Sequence, residues 1–238
     1  MKPTHPLASE RTLVIMAKAP RPGTVKTRLA RSLPVEAVTE LYRCLLDDTL
    51  VLAHSLLGVR VAIVCPADDV RELTGLAGPE TAVMAQQGEG LAAALESVFA
   101  TFAESGRHRV IAFNSDTPHL PGSVLTNAFE MLNAHDLVVG PTHDGGYYLV
   151  GAAEAYPGLF HGDGMGTTSA LDGLLARARG LQLSVGFTAP FYDIDVEGDL
   201  TQLAKELLLS PARAPRTAAW LTQWQQVAPQ LRTAAGDL

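Results

Sequence analysis

From Leu13 to Val150, short apolar runs alternate with longer amphipathic segments, and this alternation constrains the fold more than any other feature. Leu13–Ala17, Val59–Val64, Thr81–Ala85, Arg109–Phe113, Asp136–Gly140 and Tyr147–Val150 read as strands, because brief apolar runs bounded by turn residues suit strands buried on both faces. Between them, Val35–Leu56 carries apolar residues at helical spacing through Val38, Leu41, Leu45 and Leu52. Further helices are expected at Asp68–Leu76, Gly90–Phe102, Ser123–Asn133 and Gly166–Arg179. A strand at Leu181–Thr188 precedes a helix opened by Asp193–Asp199 and running to Leu209, with one more near Thr217–Val227. This order predicts a three-layer α/β/α fold, its sheet largely parallel and covered by helices on both faces.

No stretch reads as a linker, so the 238 residues are expected to form one domain. Its core spans roughly 11–209, with a polar extension at 1–10 and a tail at 210–238. The formal net charge of -7 argues against nucleic acid as the main ligand. A small anionic substrate still fits, since a local basic loop can act within an acidic protein. Cys44 and Cys65 form no metal or disulfide pattern, which suggests a reduced, cytoplasmic protein. The amino end lacks the apolar stretch of a signal peptide, and no run approaches the roughly 18 residues of a membrane span.

In open sheets of this kind, ligands sit beyond the carboxyl ends of the strands. Four polar segments fall there: Lys18–Arg28, Gln86–Gly90, Asn114–Pro121 and Pro141–Gly146. The first lies within AKAPRPGTVKTRLA and gathers Lys18, Arg21, Lys26 and Arg28 around Pro20, Pro22 and Gly23. If Thr24 or Thr27 caps a following helix, the arrangement suits a di- or triphosphate. A solvated surface loop is the plainer alternative. A Walker A loop is disfavoured because Val25 stands where glycine should precede the Lys-Thr pair. In the second segment, Gly88, Gly90 and Ala93 match a dinucleotide fingerprint, but they follow the third strand rather than the first. They allow a base or ribose to approach the backbone, or simply make a turn.

The third segment, FNSDTPHLP, places Asp116 at a strand end, where one carboxylate can hold a divalent cation against a diphosphate. Capping of the turn is the competing role for Asp116. His119 either touches a ligand or is a polar surface group. In the fourth, Asp144 is a candidate general base beside His143, Gly145 and Gly146. The alternative there is a glycine-rich hairpin. No Gly-x-Ser-x-Gly occurs, which disfavours a serine hydrolase. Farther on, Asp193 and Asp195 alternate by two, and either can supply a second metal carboxylate if the chain returns to Asp116. Asp199 falls in the first turn of the next helix and suits its dipole.

AKAPRPGTVKTRLA, SDTPHLP, DGGYYLVG and DIDVEGDL, in that order and over most of residues 13–205, resemble the bacterial DUF2064 family of GT-A-type transferases. Some of its members are named as arsenosugar-biosynthesis glycosyltransferases. The family is similar to the nucleotide-diphospho-sugar transferase superfamily, which includes the phospholactate guanylyltransferase type of nucleotidyltransferase. The resemblance implies a GT-A-like fold with a mostly parallel, mixed sheet. By matching position, Lys18, Lys26 and Arg28 would bind phosphates, with Ala17 and Ser115 beside them, and Gly88 and Gly90 would line the base pocket. Asp116 and Asp195 would hold Mg²⁺ or Mn²⁺, and His119, His143, Gly145 and Gly146 would lie on the acceptor side. Departures fall at Thr117 and His119, where the family has Cys and Asp, at His143 in place of an acid, and at Met165-Gly166-Thr167 in place of Trp-Gly-Thr. The expected function is transfer from a nucleotide sugar to a small-molecule acceptor, with Asp116, Lys26 and Asp144 as the catalytic set. Nucleotidyl transfer from a nucleoside triphosphate, or nucleotide binding without catalysis, are the alternatives.

Overall fold

The buried apolar runs become strands: β1 (Arg11–Met16), β2 (Val59–Cys65), β3 (Ala82–Ala85), β4 (Val110–Asn114), β5 (Leu137–Pro141), β6 (Tyr147–Ala152) and β7 (Val185–Phe187). The amphipathic segments become helices: α1 (Val35–His54), α2 (Val70–Ala77), α3 (Gly90–Glu104), α4 (Gly122–Met131), α5 (Ala170–Gly180), α6 (Glu197–Leu209) and α7 (Pro215–Gly236). The computed structural model describes residues 11–106, 108–162 and 169–236. The expected start of a helix at Gly166 and the Met165-Gly166-Thr167 segment lie outside the described residues.

The strands form one sheet in the order β3-β2-β1-β4-β6-β5-β7. All neighbours run parallel except β6, which is antiparallel to both β4 and β5. The cause is local: the segment 142–146 is too short for a crossover, so β5 and β6 can only make a hairpin. The sheet is therefore mixed.

Alternating side chains feed two cores. Leu13, Ile15, Ile63, Ile111 and Phe113 pack with Leu46, Leu50, Leu125 and Phe129 on the α1–α4 side. Val14, Val64, Ala112 and Val150 pack with Leu95, Phe99, Phe102 and Leu174 on the α3–α5 side. A third cluster joins Leu41 and Leu45 of α1 to Leu203 and Leu207 of α6 and to Trp220 and Leu221 of α7. The chain after residue 209 thus packs onto the main body. The buried Asp48 carboxylate fixes it, accepting backbone N–H bonds from Arg216 (3.2 Å) and Thr217 (2.8 Å) and a bond from the Thr217 hydroxyl (2.8 Å).

Three local expectations change. The basic loop leads into a short 3₁₀ turn at Leu29–Arg31, and α1 opens only after Pro34. Thr24 instead bonds its hydroxyl to the Arg21 carbonyl (2.9 Å), so it does not cap a helix. The strand near the carboxyl end is shorter than expected, Val185–Phe187, which pairs in register with Leu137–Val139 of β5. Lastly, α6 begins at Glu197, leaving Asp193 and Asp195 on an extended segment. Cys44 and Cys65 are unpaired. No helix of the described residues is long and apolar enough to cross a membrane.

Candidate functional site

The chain leaves β1 toward β2 on one side, while β4 returns on the other. That makes the carboxyl ends of β1 and β4 the switch point where such sheets open a crevice. Met16 and Asn114 are paired in register, so the basic loop and the Ser115-Asp116 pair emerge side by side. The extended segment before α6 reaches the same place, with Phe191 bridged to Thr142.

Here the structure brings together Lys26, Asp116, Asp193 and Asp195. The Lys26 ammonium donates to Asp116 Oδ2 and to Asp195 Oδ1 (2.8 Å). Arg28 donates to Asp195 Oδ2 (3.1 Å). Asp116, Asp193 and Asp195 each present an oxygen within 4.8 Å of the others. Asp193, weighed in the sequence beside Asp195, joins the cluster as a third carboxylate. Burial, reinforced by the charge of Asp116, pushes the Asp193 carboxyl above its ordinary range. Burial opposes the charge of Lys26 as well, but Asp116 and Asp195 outweigh it and hold the ammonium protonated. The same contest is settled at Asp195 by Lys26 and Arg28, which keep its carboxyl below the usual range.

The residues fit a hard divalent cation. The donor set is all oxygen, which suits Mg²⁺ or Mn²⁺. Asp116 Oδ1 is buried with no hydrogen-bond partner among the described residues, and an unsatisfied carboxylate oxygen beside two further carboxylates is a ready ligand.

The amino half of the basic loop is held differently. The Lys18 N–H donates to the buried Tyr42 hydroxyl (3.1 Å), which also hydrogen-bonds Ser115 Oγ (2.9 Å). The Ala19 N–H and the Arg21 guanidinium donate to the two oxygens of Asp69 (2.9 and 2.7 Å), and Arg21 also reaches Glu72 (2.9 Å). Arg21 is thus a structural clamp, whereas Lys18 and Arg28 are exposed. Ala17 is buried beneath the loop, and the Ser115 hydroxyl turns inward to Tyr42. Tyr42 and Asp69 were not singled out from sequence. Tyr42 sits on the apolar stripe of α1 and reads as core.

Gly88 and Gly90 both adopt positive φ (+74° and +79°) in the loop after β3. At Gly88 an added Cβ would come within 2.7 Å of Ala93 Cβ, so close helix packing also demands this glycine. The hairpin turn puts His143 and Asp144 in solvent. Asp144 Oδ1 accepts from the Thr142 hydroxyl (2.5 Å) and from the Gly146 N–H (3.3 Å). Leu149 pairs with Phe113, so the turn preceding β6 lies at the Asp116 end of β4. His119 is placed elsewhere. It is fully buried rather than at the surface, its ring against Phe191 and Tyr192 (centroids 4.9 and 4.7 Å). Neither ring nitrogen has a partner among the described residues.

Comparison with known proteins agrees with this architecture. Residues 49–167 match the DUF2064 family, described as uncharacterised proteins conserved in bacteria. A crystal structure from Desulfovibrio desulfuricans G20, provisionally named a nucleotide-diphospho-sugar transferase, is 28% identical with a TM-score of 0.86, covering 93% of this chain and 98% of its own. Two others share the fold at lower identity. The 4-diphosphocytidyl-2C-methyl-D-erythritol synthase of Anaerococcus prevotii DSM 20548 is 9% identical with a TM-score of 0.57, over 84% of this chain and 98% of its own. A homolog of Mycobacterium tuberculosis Rv0371c from Mycobacterium sp. strain JC1 is 20% identical with a TM-score of 0.53, over 86% and 100%. Among curated proteins, none matches the sequence.

Proposed function

The chain belongs to the bacterial DUF2064 family, and on that premise we propose that it is a metal-dependent transferase taking a nucleotide donor, specifically a nucleotide-diphospho sugar. The observation that carries this reading is the meeting of Asp116, Asp193 and Asp195 with Lys26 and Arg28 at the switch point. Carboxylates alone would suit a structural cation. Carboxylates beside a basic loop suit a cation that bridges to phosphate.

Asp116, Asp193 and Asp195 would hold Mg²⁺ or Mn²⁺, which supplies positive charge against the departing diphosphate. Lys18 and Arg28 face solvent beside that cluster and would bind phosphate oxygens, Arg28 in the forked geometry a guanidinium offers. Gly88 and Gly90 leave backbone open for the base. Asp144, with His143, Gly145 and Gly146, lies on the acceptor side of the same rim. Its Oδ1 is oriented by Thr142 and Gly146, and the carboxylate would take the acceptor hydroxyl's proton. His119, sealed in its aromatic pocket, supports the wall of the site rather than the acceptor.

A second reading uses the same groups for nucleotidyl transfer, favoured by a basic loop with enough cations to grip a triphosphate. Thermal-shift titration with nucleotide sugars and nucleoside triphosphates, with and without Mn²⁺, separates the two. Mn²⁺-dependent stabilisation by a nucleotide sugar, followed by release of nucleoside diphosphate on adding acceptors, is the expected result. Stabilisation by triphosphate with pyrophosphate release would establish the second reading instead. Metal-independent binding insensitive to Asp116→Ala would leave a binding protein without catalysis.

A further inference from the structure

Two roles assigned to neighbouring groups are incompatible with the contact seen between them. Asp116 and Asp195 are to hold a cation, and Lys26 is to hold phosphate. Yet the Lys26 ammonium is bound to both carboxylates, and its side chain is only 6% exposed. In that position, with two of its three N–H groups committed to carboxylates, it offers little to an anion, and it places a positive charge among the groups a metal ion would need. We propose that Lys26 serves as the site's own cation in the metal-free protein and passes from the carboxylates to the donor's phosphates when the ion binds. Metal and phosphate binding are then coupled through one side chain. This inference rests on the metal and nucleotide reading above.

Charge and backbone both support the exchange. Among the described residues, the cations paired with this cluster are Lys26, on Asp116 and Asp195, and Arg28, on Asp195 Oδ2 with its side chain 57% exposed. Lys26, the more buried of the two cations, therefore neutralises the interior of the cluster, and removing it without a replacement cation would leave half-buried carboxylates repelling one another. A dication drawn to the free Asp116 Oδ1 and to Asp193 and Asp195 would stand within a few ångströms of the ammonium held by two of the same carboxylates, and repulsion between the two cations favours departure of the lysine. Lys26 also sits in the left-handed region (φ +46°), a conformation costly for a residue with a Cβ and sustained here by the two ionic contacts. Once these are broken, the strain favours a different loop conformation. The movement is local, because the amino half of the loop stays fixed by Tyr42 and Asp69, while residues 22–24 and 27–28 are exposed. Coupling of this kind is reciprocal: phosphate that draws Lys26 away raises metal affinity by the same factor as metal raises phosphate affinity.

The test is calorimetric titration of Mn²⁺, without nucleotide, into the wild-type protein and Lys26→Met, with Asp116→Asn as the control that locates the site. Removal of the competing ammonium is expected to tighten Mn²⁺ binding about tenfold. Equal or weaker binding by Lys26→Met would overturn the proposal while leaving the metal site standing. Absence of Mn²⁺ binding in both proteins would overturn the metal reading and this inference with it. A second measurement uses only the wild-type chain: trace acetylation read by peptide mass spectrometry, with Lys205 as internal reference. Lys26 reactivity should rise several-fold on saturation with Mn²⁺ and fall again when inorganic pyrophosphate follows. Unchanged reactivity at Mn²⁺ saturation would show that the lysine does not move.

Discussion

On the β1–β4 flank of the crevice, Lys26, Asp116 and Asp195 come from segments far apart in the chain and fix one another through buried charge. On the β5–β6 flank, His143 and Asp144 hang on contacts made within their own turn. The first flank is assembled only when the whole sheet has formed, and each member leaves an unpaired charge if another is removed. In the second, the turn's backbone is tied to α5 through Leu171 N–H and the Gly145 carbonyl (3.1 Å), but the exposed side chains of His143 and Asp144 can vary without disturbing the core. On the proposed function, the difference would leave the metal-holding carboxylates preformed, whereas acceptor choice would reside in exposed turn residues that cost little to change.

The largest expected effect breaks the first flank. Asp116→Asn removes the central carboxylate and leaves Lys26 with Asp195 alone. Transfer should fall about 10³-fold, the scale of losing a principal electrostatic group in a transition state. Mn²⁺-dependent stabilisation by nucleotide should vanish in the same variant. Retention of activity within tenfold would show that the charged flank is structural and that the comparison has been drawn between the wrong halves.

Much of this was legible in the sequence, and the gaps have physical reasons. Most strands from Leu13 to Val150 announced themselves because strands buried on both faces must be apolar throughout, whereas the exposed edge strand β3 was marked by its short apolar run alone. Direction lay in the connections rather than in the runs: long amphipathic segments implied a largely parallel sheet, and the reversal at β6 lay in the brevity of 142–146. Asp116 was visible as a strand-end acid. Its meeting with Asp195 was left open there, because the two are separated by 79 positions and spacing carries no information over that range. Tyr42 was hidden by helical periodicity, which cannot distinguish a tyrosine placed for its ring from one placed for its hydroxyl.

The next test sharpens the contrast between two histidines, the exposed His143 and the buried His119. Burial without a partner pushes His119 down to about 4 from an ordinary 6.5. The unfolded chain therefore takes up a proton between these values while the folded chain does not, so stability falls as pH drops through that window. At about 1.4 kcal/mol per unit, the loss is about 3 kcal/mol by pH 4. Because the raised Asp193 carboxyl adds stability as pH drops over the same range, the His119 effect is read as a difference: in urea unfolding from pH 7 to 4, wild type and His143→Ala should each lose about 3 kcal/mol relative to His119→Phe. Superimposable slopes for wild type and His119→Phe would mean that His119 finds a proton acceptor or solvent.

Asp144→Asn probes the second flank without touching the first. It keeps the turn's hydrogen-bond acceptor but removes a base, so kcat should fall about 100-fold. Donor affinity and Mn²⁺ affinity should stay at wild-type values. A loss of donor affinity equal to the loss of rate would place Asp144 on the phosphate side and erase the division.

The smallest effect concerns the joint between the basic loop and β4. The Tyr42 hydroxyl accepts from the Lys18 N–H and is paired with Ser115, so it ties the strand ends that define the switch point. Tyr42→Phe keeps the packed ring and deletes these bonds, leaving the Lys18 N–H and the Ser115 hydroxyl to find other partners. A cost of about 1 kcal/mol in stability is expected, small enough for the fold to persist. If the joint only held the fold together, kinetics would be unaffected. Because it sets where Lys18 stands, donor KM should rise several-fold with kcat little changed, and Tyr42→Leu should raise it further at a greater cost in stability. An unchanged KM in Tyr42→Phe, with the stability loss present, would assign the hydroxyl to the core alone and leave the positioning of the loop to Asp69.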